Sequence, residues 1–110
     1  MAVYANLTVD QGTDFSSAID VTDSDGDPVS LVGYTVAGQI RKHYNSSTKV
    51  DFVATVSNAT AGIVSLSLSA ATTNAMKAGR YVYDVEIDLN GTKTRVLEGQ
   101  LEVMPGVTQT

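Results

Sequence analysis

Apolar residues recur at every second position through most of this chain, the spacing of strands that lay one face on a core. Phe15, Ser17, Ile19 and Val21 share one face of such a segment, with Ser17 the poor fit, and Ser16, Ala18, Asp20 and Thr22 share the other. Tyr34, Val36, Gly38 and Ile40 repeat the pattern, and a glycine inside it predicts a close neighbour or a bulge. Val50, Phe52, Ala54 and Val56 read as one strand, and Val64, Leu66 and Leu68 as the inward face of the next. Asn6 to Asp10 forms a short first strand closed by Gln11-Gly12. The longest alternation runs through Tyr81, Tyr83, Val85, Ile87 and Leu89, crosses Asn90-Gly91, and returns through Leu97, Gly99, Leu101 and Val103. Asn-Gly supplies two residues that tolerate positive φ, as a type I′ hairpin turn demands.

Breaks in the pattern place the connections. Asp23-Ser24-Asp25-Gly26-Asp27-Pro28 is a turn, because aspartates bond nearby amides, glycine frees φ and proline removes a donor. Val29-Ser30-Leu31 is a short extended piece ending at Gly33; His43 to Lys49 is a polar loop; Asn58 to Gly62 is a turn. Ser69 to Gly79 is the one helix-like stretch, a single turn in a crossover loop, with Ser69 as its cap and Gly79 as its end. Residues 1–5 are expected as an N-terminal arm and residues 105–110 as a C-terminal tail, since Pro105-Gly106 ends the last strand. About seven short strands with turn signals roughly every 8–12 residues predict one β-sandwich or small barrel over residues 1–110.

Composition narrows the function classes. Hydrophobic residues make up 43% of 110 residues, enough for a core without staples. The absence of cysteine excludes disulfides, thiolate metal sites and cysteine nucleophiles. A net charge of −5 with seven scattered basic residues disfavours nucleic acid, whose binding needs clustered Lys and Arg. No apolar run approaches the about 20 residues that span a bilayer, and Met1 to Asn6 lacks the basic and apolar segments of a signal peptide. The expectation is synthesis in a cytoplasm without a signal peptide, and no membrane partner.

Candidate chemistry is sparse. Asp23, Asp25 and Asp27 offer carboxylates to a hard cation, but an EF-hand loop would need Gly and Glu where Pro28 and Tyr34 stand, so a solvated turn is expected and no metal. His43 is the one histidine and reads as an exposed loop residue near Ser46 and Ser47. Asp84, Glu86 and Asp88 alternate along one strand with Arg80, opposite Lys93 and Arg95, which marks a charged solvent face. Asn6-Leu7-Thr8, Asn45-Ser46-Ser47 and Asn58-Ala59-Thr60 match the glycosylation pattern by chance. One histidine and no cysteine assemble no nucleophile, base and orienter, so no catalytic residue, no cofactor and no enzyme is expected. Tyr4 and Tyr44, in the arm and the polar loop, are the candidate partner-binding residues, because tyrosine gives large rigid contact area.

Ala78-Gly79-Arg80-Tyr81-Val82-Tyr83 resembles the start of the sixth strand of immunoglobulin-like domains, with Tyr81 as the corner tyrosine bonding back to the preceding loop. Tyr83 then stands where antibody domains place their second disulfide cysteine; no core tryptophan accompanies it. Over roughly residues 10–108 the order of Gly12-Thr13-Asp14-Phe15, Asp25 to Tyr34, Gln39-Ile40-Arg41, Gly62 to Leu68, Gly79 to Val85 and Arg95 to Gly99 looks like small virion proteins of tailed bacteriophages. It is similar in particular to the immunoglobulin-like amino-terminal domain of upper baseplate proteins. The resemblance implies an immunoglobulin-like antiparallel β-sandwich and a noncatalytic virion protein, oligomeric or particle-bound through repeated contacts with other virion proteins. Baseplate proteins continue into further domains, so a chain of this length fits an accessory or decoration subunit on the capsid exterior; a tail, neck or baseplate component is the alternative. A host-surface carbohydrate-binding module is the alternative of another class, resting on Tyr44 with Asn45.

Overall fold

The computed structural model describes residues 3–23, 25–43 and 49–106. Among these described residues nine strands and one helix follow in order: β1 Val3–Tyr4, β2 Leu7–Asp10, β3 Phe15–Asp20, β4 Thr35–Arg41, β5 Lys49–Asp51, β6 Val53–Asn58, β7 Ile63–Leu68, α1 Ala70–Ala75, β8 Gly79–Leu89 and β9 Thr92–Met104. One sheet has the order β1-β9-β8-β4-β5, with β2 also on β9; the other is β3-β7-β6. This is the immunoglobulin partition of strands between two packed sheets. The fold is an immunoglobulin-like β-sandwich, as the sequence pattern and the strand openings implied.

The core is built by the alternation itself. Val9, Leu31, Ile40, Val64, Leu66, Val85, Leu101 and Val103 are all at most 1% exposed. Each such side chain contributes about 1.5–3 kcal/mol relative to exposure. Asn90 and Gly91 have φ of 53° and 92°, the type I′ signature. The Asp88 carboxylate accepts from the Gly91 amide at 2.9 Å. Between Val85↔Leu97 and Glu86↔Arg95 the pairing slips, leaving Val96 as an extra residue. That bulge turns odd-numbered Lys93 and Arg95 to the same outer face as even-numbered Glu98 and Glu102.

Three elements differ from expectation. Val3–Tyr4 is part of the sheet and not an arm: it pairs parallel with β9, Val3 opposite Leu97 and Tyr4 opposite Glu98. The chain then dips over Gly99, where a side chain would overlap the Ala5 carbonyl, and Ala5 N–H donates to the Glu98 carbonyl at 2.9 Å. Second, the run from Val50 to Val56 is two strands in different sheets. β5 pairs with β4 and β6 with β7, and Phe52 marks the crossing. Its N–H donates to the Gly38 carbonyl at 2.9 Å. A Cβ at Gly38 would lie 2.9 Å from the Phe52 ring, so the glycine makes the space the ring occupies. Third, α1 ends at Met76 and not at Gly79. Met76 turns extended and buries its side chain, while Gly79, at φ 137°, opens β8.

Candidate functional site

The acidic turn is organised by its own backbone. Asp23 Oδ1 accepts from the amides of Asp25 at 2.9 Å and Asp27 at 3.0 Å. Carboxylate oxygens of all three aspartates lie within 4.8 Å of one another, and all three residues are exposed. Asp23 therefore holds the turn closed, with Thr22 bridged to Pro28. His43 is exposed just past the end of β4.

On the outer face of the larger sheet, Arg95 lies 3.3 Å from Asp84 and 3.9 Å from Glu98, every partner partly solvated. Exposed pairs of this kind contribute about 0.2–1 kcal/mol and act mainly on register. A shallow depression of about 290 Å³ over this face is lined by Gln39, Arg41, Asp84, Glu86 and Arg95. Arg41 donates to the Gln39 side chain at 3.2 Å.

The two tyrosines of the eighth strand have separate structural tasks. Tyr81 Oη–H donates to the Lys77 carbonyl at 2.8 Å, the corner bond that the Gly-x-Tyr start implied. Tyr83 is buried, meets Phe52 edge-on at 6.1 Å, and donates its hydroxyl to the Ala5 carbonyl at 2.7 Å. Burial, with Tyr4 adding a smaller contribution, pushes the Tyr83 phenol from 10.0 up to about 12. Tyr4 itself is 62% exposed on β1 and so presents its ring to solvent. Tyr44, with Asn45, lies outside the described residues.

The helix region carries the feature that the sequence reading missed. α1 is too short to stand alone and is tied down on several sides. Its first amide is held by Asp14 Oδ1 at 2.8 Å, and the Ser69 hydroxyl accepts from Thr72 N–H at 3.2 Å. Thr73, fully buried, donates to the Thr13 carbonyl at 2.7 Å and accepts from Gly12 N–H at 3.1 Å. Gln11 donates to the Met76 carbonyl at 2.8 Å. Between this helix, the start of β8 and the end of β4 lies an open, mainly apolar groove of about 820 Å³. Val50, Ala75, Met76, Ala78 and Tyr81 line it, with Lys42 and Lys77 at its polar margin. Lys42 Nζ sits 4.7 Å from the centre of the Tyr81 ring, a cation–π contact. The sequence signal was faint: Ala71, Ala75 and Ala78 at three- and four-residue spacing, with the other walls from distant segments.

No known protein family matches the chain, and no curated protein is a significant match. Among solved structures, InlP of Listeria monocytogenes is similar over 94% of this chain, at a TM-score of 0.54 and 18% identity. The chain spans 28% of that protein. The Lin-41 filamin domain is similar over 90% of this chain and 84% of its own, at a TM-score of 0.48 and 18% identity. AggA, the major subunit of aggregative adherence fimbriae type I from Escherichia coli, is similar over 90% of this chain and 89% of its own, at 0.48 and 15% identity. At such identities the likeness concerns fold alone, and the first of the three agrees with the sandwich described above.

Proposed function

We propose that this protein is a noncatalytic structural subunit of a tailed-bacteriophage virion, an accessory or decoration subunit on the capsid exterior. The observation that carries this reading is where its polar side chains go. Asp23 closes its own turn, Asp88 closes the hairpin, Asp14 and Thr73 pin the helix, and Arg95 pairs with Asp84 and Glu98. These groups hold the fold together and do not converge on a substrate. The strand openings and turns that resemble virion proteins supply the biological setting. Among the described residues β5, β6 and β3 each have a strand neighbour on one side only, so a packed neighbour in a particle has backbone edges to use.

Immunogold labelling of purified particles tests the reading. Label spread over capsids is the expected result. Label confined to the tail, neck or baseplate replaces the capsid placement with the alternative one. Particles unlabelled both intact and after disruption overturn the virion assignment, and specific binding on a glycan array in that case favours a carbohydrate-binding module.

A further inference from the structure

The two ends of the sandwich carry different surfaces. At one end, hydrogen bonds gather the loops: Val21 N–H to the Gly62 carbonyl at 2.8 Å and Leu31 N–H to the Ala59 carbonyl at 2.7 Å. This end holds Asp20, Asp23, Asp25 and Asp27 on a connection, residues 20–34, that includes no lysine or arginine, and the neighbouring hairpin adds Asp88 opposite Lys93. Val32 stands 64% exposed in the same loop. At the opposite end are α1, the first turn of the chain and the ends of β4 and β9, joined through Asp14, Gln11 and Thr73. Arg41, Lys42, Lys49, Lys77 and Arg80 belong to this end together with Asp10, Asp14 and Glu102, and Lys49 is bridged to Asp51 at 3.5 Å, so the part of this end where lysines stand without a lining carboxylate, among the described residues, is the groove.

The apolar groove opens at this end. Lys42 and Lys77 rim it, and no carboxylate lines it among the described residues. Its chemistry suits a partner that brings carboxylates and an exposed apolar side chain, and the connection between β3 and β4 of this same chain carries both, Asp25 and Asp27 in one turn and Val32 in the next. We propose that copies of this chain associate head to tail, with the acidic loop and Val32 of one copy seated in the basic-rimmed groove of the next. End to end, the Lys42 and Lys77 rim of one copy meets the Asp25 and Asp27 carboxylates of the next. The two surfaces are different patches, so the contact is heterologous and propagates, into a ring where the rotation closes and a filament where it does not. The inference concerns self-association only and stands or falls separately from the virion reading.

Sedimentation velocity on the full chain across a concentration series tests it. The expected result is mass that grows with concentration at low salt and an association weakened roughly tenfold at about 0.5 M salt. The paired reversals Lys42→Glu with Lys77→Glu, and separately Asp25→Lys with Asp27→Lys, are each expected to abolish self-association. The side chains of Asp25 and Asp27 are exposed, and the Asp23 bonds that hold the turn use only their amides, so the loop variant keeps its turn. Mixing the two variants, or placing all four reversals in one chain, is expected to restore association. Three results overturn the proposal: a wild-type chain monomeric throughout at low salt, association unaffected by the loop reversals, or no rescue from variants whose circular dichroism and melting match wild type.

Discussion

Single residues decide how the first strands meet the rest of the sandwich. Gly99 is needed because the Ala5 carbonyl occupies the place of a side chain there. Gly99→Ala is expected to cost about 1–3 kcal/mol by denaturant unfolding, as overpacking does, with amide protection lost first in residues 3–10. Tyr83 closes the same junction from below through its bond to the Ala5 carbonyl. Its phenol is held neutral in the folded state, raised from 10.0 to about 12. That contribution is fully present below pH 10 and is lost as pH climbs to about 12, because only the unfolded chain ionises freely in that window. Stability measured across this range is expected to fall. Tyr83→Phe keeps the ring beside Phe52 but strands the Ala5 carbonyl. It is expected to lose about 1–2 kcal/mol at neutral pH and to show a flatter decline between pH 10 and 12. An equally steep decline in the variant assigns the alkaline loss to other groups.

At the scale of elements, connection chemistry matters as much as periodicity. Thr73→Val keeps the volume but removes a hydroxyl that serves Thr13, Gly12 and Ala70 at once. A loss of about 1–3 kcal/mol is expected from the buried groups left unpaired, with the helix exchanging its amides faster than the sheets. Phe52→Ala is expected to cost about 3–5 kcal/mol, because the ring spans from Phe15 at 6.2 Å to Tyr83 at 6.1 Å. The strands, the Asn-Gly hairpin and the Tyr81 corner were legible in the sequence because each is a local pattern. The division at Phe52 was not. A strand that passes from one sheet to the other keeps the same side chains inward, so Val50, Phe52, Ala54 and Val56 alternate without a break. The parallel pairing of β1 and β2 was hidden for a related reason: it depends on Gly99, some ninety residues away in the chain. The groove escaped notice because Lys42, Val50, Met76 and Tyr81 come together only when the sheets and crossover are in place.

The whole molecule is a sandwich 42 Å in its longest dimension, with a charged outer face on the larger sheet, a lysine-rimmed groove at one end and an acidic turn at the other. Asp23, Asp88, Asp14, Thr73 and Arg95 are engaged in holding turns, helix and register, and its surfaces differ by face and by end. Such a body is suited to repeated contact with neighbours, as the proposed virion role requires. The most direct check of that placement is quantitative mass spectrometry of density-purified phage particles, comparing this chain with the major capsid protein. The account predicts that the chain co-purifies with intact particles in hundreds of copies, in a fixed ratio to the capsid protein. Its absence from particles that contain their other structural proteins would contradict it.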